Sequence, residues 1–182
     1  AISDYNGYEI SCDGYNDGFI EVYATSLFPP VLYNWSTSNP TQEDQYNLNS
    51  GVYNLQLTDN FGCVFDTTFV LSEPTPLQTT IVSTTDYNTY NISCYGYNDG
   101  GALVTVTGSV PGYTYLWPNS GETTLNAVSL SSGLQNVIVT DTNGCTDSTS
   151  IVLTEPSQLQ TTFVTTDYNG YNISCTGYSD GG

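Results

Sequence analysis

Along most of this chain apolar side chains recur at every second position. Val104 and Val106, then Tyr113, Tyr115 and Trp117, then Val137 and Val139, then Ile151 and Leu153 each follow a period of two. Val22 and Ala24, Val31, Tyr33 and Trp35, Leu55 and Leu57, and Phe69 and Leu71 do the same earlier in the chain. Such alternation predicts half-buried β-strands, and no segment shows a convincing 3.6-residue period. Asn98-Asp99-Gly100, Pro111-Gly112, Asn119-Ser120-Gly121, Ser132-Gly133 and Asn143-Gly144 punctuate the runs with turn chemistry. About seven short strands per unit are expected, which suits an all-β, immunoglobulin-like β-sandwich.

The pattern is periodic on a longer scale. One fifteen-residue segment is written three times: DYNGYEISCDGYNDG over 4–18, DYNTYNISCYGYNDG over 86–100 and DYNGYNISCTGYSDG over 167–181. Cys12, Trp35, Cys63, Glu73-Pro74 and Leu77 recur 82 residues later as Cys94, Trp117, Cys145, Glu155-Pro156 and Leu159, and the third segment starts one residue early. That period is too long for a solenoid unit and long enough for a small domain with its own core. Tandem sandwiches of about 80 residues arranged as an extended rod are expected. Residues 1–74 form an N-terminally truncated repeat, 75–156 a complete one and 157–182 the start of a third, with Glu-Pro as linker. With both ends inside the pattern, the chain reads as a piece of something longer.

Charge narrows the function. The chain has no Lys, Arg or His and carries 18 Asp and Glu, a formal net charge of −18. Side-chain salt bridges are therefore impossible, and packing, backbone ladders, disulfides or bound cations must supply stability. Nucleic acid and anionic lipid are repelled, and no apolar run approaches the roughly 20 residues that span a bilayer. Without His or Lys there is no ordinary base for a Ser or Cys nucleophile and no Schiff base. Paired carboxylates of glycosidase type remain chemically available, but the acids that repeat sit in Gly/Asn turns, where they serve as turn formers. No enzyme is expected, and no catalytic residue is assigned.

Five cysteines remain. If strands simply alternate up and down, Cys94 ends the second strand and Cys145 starts the seventh, at one pole of one domain. The expected bridges are Cys12–Cys63 and Cys94–Cys145, rather than Cys63–Cys94 with Cys145–Cys175. Cys175 then has its partner outside the chain. Disulfides imply an oxidising compartment, and hence export.

A module that reads ISCYGYNDG over 92–100, YTYLW over 113–117, VIVTDTNGC over 137–145 and LTEP over 153–156 resembles the SprB repeat. The first copy matches through NLQLTDNFGC over 54–63. The resemblance implies a very large surface adhesin of gliding Bacteroidota, exported by type IX secretion and carried along the cell surface by the gliding machinery. The usual Gly-Gly-Thr-Pro-Pro-Tyr stretch is replaced here by Leu27-Phe28-Pro29-Pro30-Val31 and by Gly108–Tyr113.

Two further sets of residues are candidates. Each repeated segment is rich in tyrosine: Tyr5, Tyr8 and Tyr15, then Tyr87, Tyr90, Tyr95 and Tyr97, then Tyr168, Tyr171 and Tyr178. These are expected near the pole facing the preceding domain, where they pack between domains; Tyr95 and Tyr97 are alternatively candidates to stack on sugar rings. Glu73, Asp99 and Asp141 are candidate calcium ligands at a junction, with Glu155 and Asp180 at the next; otherwise no cofactor is expected. Asn34, Asn91 and Asn172 begin N-glycosylation tripeptides, and Asp66-Thr67-Thr68 and Asp147-Ser148-Thr149 resemble the phylum's O-glycosylation motif. The expected role is a stalk segment of an extracellular filamentous adhesin whose partners are its own neighbouring repeats, with surface polysaccharide a further one. A multivalent glycan-binding array and accessory domains of an extracellular hydrolase are the alternatives.

Overall fold

The computed structural model describes residues 1–181, which form strands and turns with no helix. A first module contains β1 (Gly18–Ile20), β2 (Leu32–Trp35), β3 (Gln45–Leu48), β4 (Gly51–Thr58) and β5 (Val64–Leu71). A second contains β6 (Gln78–Ser83), β7 (Gly100–Thr107), β8 (Thr114–Leu116), β9 (Asn126–Leu130), β10 (Gly133–Thr140) and β11 (Thr146–Leu153). Residues 157–181 carry no strand.

The second module has two antiparallel three-stranded sheets, in orders β6-β7-β9 and β8-β10-β11. Ala102, Val104, Ala127 and Leu130 from the first enclose one core with Trp117, Val137, Val139 and Leu153 from or beside the second. The predicted alternation accounts for this, because Val137 and Val139 point inward while Ile138 between them, and Leu134 earlier in the strand, face solvent. Trp117 fills the centre and donates its indole N–H to the Thr124 carbonyl at 2.9 Å. Trp35 repeats that bond with the Gln42 carbonyl at 2.8 Å, within a separate core of Ile10, Ile20, Leu48, Leu55 and Leu71.

The seventh strand does not form. Its place is taken by the fifteen-residue segment, which folds as a cap over one end of each module. Asn6-Gly7, Asn88-Thr89 and Asn169-Gly170 all have positive φ, the signature of a tight two-residue turn, and each is flanked by a tyrosine pair bridged through its backbone. Asp99 then accepts from the Ser93 amide at 3.1 Å and the Ser93 hydroxyl at 2.5 Å, folding the segment back on itself. This drives Ile92 into the core at 0% exposure, as Ile10 is in the first module. The close approach requires glycine at Gly100, where a Cβ would lie 2.5 Å from the Ile92 Cδ1 and 2.9 Å from the Leu130 carbonyl.

Topology gives each module two distinct poles. β7 and β10 run away from the cap, while β8 and β9 both run toward it, because residues 117–125 travel back along the module instead of turning tightly. The cap, the start of β7 and the end of β11 share the exit pole. The β7–β8 loop and the 141–145 turn form the entry pole. Cys94 and Cys145 therefore lie at opposite ends of the eight-residue β10, roughly 25 Å apart, well beyond disulfide reach. The expectation of Cys12–Cys63 and Cys94–Cys145 is corrected on this ground; strict up-and-down alternation put them at one pole, and β8 and β9 break that alternation. The caps are likewise corrected to the pole facing the following module.

Candidate functional site: the junction between modules

The exit pole of the first module meets the entry pole of the second, and one disulfide crosses the boundary. Cys12, in the first cap, is bonded to Cys145, in the 141–145 turn, with Cα atoms 5.7 Å apart and 133 residues between them in sequence. Both are almost wholly buried, at 5% and 6% exposure. Cys63, Cys94 and Cys175 are exposed thiols.

Asn143 supplies the polar recognition around the bridge. Its Nδ2 donates to the carbonyls of Tyr5 at 3.2 Å and Ser11 at 3.0 Å, and its Oδ1 accepts from the Asn6 Nδ2 at 2.5 Å. Asp141 shapes the turn that presents it. One carboxylate oxygen accepts from the amides of Asn143 at 2.9 Å and Cys145 at 2.8 Å; the other accepts from the Ser109 hydroxyl at 2.5 Å and the Val110 amide at 3.2 Å. Burial pushes this carboxyl up, but the bonds from Ser109, Val110, Cys145 and Asn143 together outweigh it and hold it below the usual range.

The linker is fastened on both sides. The Ser72 carbonyl accepts from the amides of Glu9 and Ile10 at 3.1 Å each, and Glu73 Oε2 accepts from the Gly14 amide at 2.8 Å, all within the first module's cap. Pro74 is buried. At the next residue, the Thr75 carbonyl accepts from the Ser109 amide of the second module at 2.9 Å. At neighbouring Gly108, with φ +80°, a Cβ would lie 2.0 Å from the Pro76 carbonyl, so a larger residue there would push the linker off the pole.

The acidic trio is not brought together. Glu73 serves the first exit pole, Asp141 the entry pole facing it, and Asp99 the far end of the second module, where the Ser93 hydroxyl and then the Ser93 amide hold its carboxyl below the usual range. Glu155 repeats the role of Glu73 by accepting from Gly96 at 2.7 Å, while Asp180 is bonded to Ser174 in its own segment. Among the described residues no group of three or more His, Cys, Asp or Glu side chains could hold a metal ion.

The tyrosines divide. Tyr5 and Tyr8 are half-buried at the junction, whereas Tyr95 and Tyr97 are exposed on the second exit pole. Tyr95 lines a shallow groove with Ser93, Cys94, Pro156, Ser157, Gln158 and Leu159. Its counterparts are Asp13 and Thr176, so this tyrosine is not a repeated feature.

Asn91 is committed to structure. Its Nδ2 donates to the Ser83 hydroxyl at 2.9 Å and the Thr85 carbonyl at 3.2 Å, and its Oδ1 accepts from the Thr154 amide at 2.9 Å. Glu9 holds the same place in the first module, accepting from the Ser72 amide at 2.8 Å and hydroxyl at 2.6 Å. Asp147 of the second acidic triplet accepts from the Thr79 amide and hydroxyl at 2.8 and 2.7 Å, fastening β6 beside β11.

Sequence reasoning missed Asn143 and the junction bridge. The available signal was that Cys12 and Cys145 both lie in turn chemistry outside any alternating run, hence at poles and not across a core.

No curated protein matches the chain in a sequence search. Residues 87–122, from the second cap through the Trp117 strand, match the family model for the SprB repeat, and that stretch of the chain is similar to the repeat.

Proposed function

We propose that the chain is a load-bearing stalk segment of an exported, filamentous cell-surface adhesin, built from immunoglobulin-like sandwiches stacked end to end as a rod. The SprB repeat is an adhesin-type, cell-surface repeat, and the buried disulfide fits an oxidising exterior. Gliding motility and type IX export follow from the family resemblance as part of the same proposal. The observation that carries the reading is the junction. A flexible linker would leave the modules free to swivel, whereas this one is hydrogen-bonded to both sides, buried at Pro74 and crossed by a covalent bond.

The bridge also reroutes force. Tension entering at the N-terminus passes from Cys12 through sulfur to Cys145, bypassing the chain between them. The 133 residues withheld correspond to roughly 450 Å of contour at about 3.4 Å each. Single-molecule extension of the chain between its ends tests this. The reduced chain should lengthen by roughly 450 Å more than the oxidised one; equal extension in both states would rule out load transfer through the bridge.

A further inference from the structure

The second module ends in the same surface that the first uses to bind its neighbour. Glu155 holds Gly96 as Glu73 holds Gly14, at 2.7 and 2.8 Å. The Thr154 carbonyl accepts from Asn91 and Ile92 as the Ser72 carbonyl does from Glu9 and Ile10, and Asp99 folds the segment around Ser93 as Asp17 does around Ser11. What differs is cover. Cys12, Ser11 and Pro74 are buried; Cys94 is exposed, and Ser93 and Pro156 are half-buried. At the opposite pole of the first module, Cys63 lies in the 59–63 turn of that entry pole. There Asp59 accepts from the amides of Phe61 and Cys63, both at 2.9 Å, as Asp141 accepts from those of Asn143 and Cys145.

From this equivalence we propose that every module carries two half-staples, an exit-pole cysteine and an entry-pole cysteine. Cys94 is then the binding site for the entry-pole cysteine of the following module, and Cys63 receives the exit-pole cysteine of the preceding one. The partner is a further copy of this module, and the product is a ladder of interlocking bridges, one per junction. The inference rests on the stalk reading above and extends it from one junction to all. Each bridge forms when two thiols lose two protons and pass two electrons to a disulfide-bearing oxidant, which is reduced to a dithiol.

The ladder has a mechanical consequence. Cys12–Cys145 spans 133 residues, more than the 82-residue period, so successive loops overlap. A load crossing one bridge at Cys145 travels only the 30 residues to Cys175 before it meets the next exit-pole cysteine.

Variation at Asn143 tunes the ladder. The first module has Phe61 in that place, packed edge-on against Phe28 with ring centroids 4.5 Å apart, and Leu27 exposed beside it. That entry pole suits an apolar exit cap, whereas Asn143 reads the backbone carbonyls of Tyr5 and Ser11.

The test inserts a second copy of residues 75–156 directly after Pro156 of the full chain, with Thr142→Ser and Tyr95→Phe in the inserted copy as mass tags. The oxidised protein is alkylated, cut with glutamyl endoprotease and chymotrypsin, since trypsin has no site, and mapped without reduction. Cys94 of the first copy should be joined to Cys145 of the inserted copy, alongside Cys12 joined to Cys145 of the first. Cys94 fully alkylated while Cys12–Cys145 is intact would overturn the ladder and spare the stalk reading; loss of Cys12–Cys145 as well would overturn both. As a check independent of the fold of any one variant, Cys94→Ser in the first copy should leave the inserted Cys145 newly alkylated. Failure of Cys145 to become reactive would also count against the ladder.

Discussion

The two exit poles are nearly the same object in two situations. Beneath each cap the packing is equivalent: Ile10 and Ile92 are both at 0% exposure, and Gly18 and Gly100 are each pressed between an isoleucine, a leucine and a strand carbonyl. Above the caps the poles diverge, one covered by Asn143 and Cys145 and the other open. The inner face of the cap thus belongs to module stability and the outer face to the junction. The third segment makes the separation sharper. It keeps the Tyr168–Tyr171 turn and the bond from the Ser174 amide to Asp180 at 3.2 Å, yet Ile173 is 45% exposed. Local chemistry sets the cap's shape, and the sheets beneath it supply the burial.

The largest effects are expected on the inner face and should be alike at both poles. Ile10→Ala and Ile92→Ala each remove a fully buried side chain, and each should destabilise its own module by about 2–5 kcal/mol in thermal or denaturant melts. A strongly unequal pair would break the equivalence of the two caps. The next effect belongs to the covered pole alone. Cys12→Ser should raise amide exchange at Ser11, Asn143 and Cys145 while leaving exchange in the β10–β11 ladder unchanged, and Cys94→Ser should alter neither. Asn143→Ala removes two interdomain hydrogen bonds and the contact to Asn6; a loosening of about 1–3 kcal/mol is expected in the junction of the reduced chain, with no change in the second module's melt.

The smallest effect is set by pH. The folded carboxyl of Asp141 lies below its unfolded value of about 3.9, so its stabilisation is fully present above that value and is lost as pH falls through the folded one. The amide resonances of Asn143 and Cys145 should therefore hold steady from neutral pH down to about 4 and shift only below it. A transition above pH 5 would show that Asp141 is not the group that holds the turn.

Much of the module was legible in the sequence. Alternation located Val104, Trp117, Val137 and Leu153 because successive side chains of a strand face core and solvent in turn, and the Asn-Gly and Asp-Gly turns marked the strand ends. The cap was not legible as a cap. ISCYGY carries enough apolar residues to read as a strand, and its actual shape depends on Asp99 reaching back six residues to Ser93. That one error, with the returning 117–125 connection, placed the cysteines at the wrong poles. Tyr95 and Tyr97 stood out by composition, yet the junction is read mainly through backbone carbonyls, which composition does not display.

The central claim is that the covalent link lies between modules, not within them. Digestion of the unreduced 182-residue chain with glutamyl endoprotease and chymotrypsin, followed by mass spectrometry, addresses it directly. The account predicts a peptide containing Cys12 joined to one containing Cys145, with Cys63, Cys94 and Cys175 alkylated. Recovery of Cys12 joined to Cys63, or of Cys94 joined to Cys145, would contradict it.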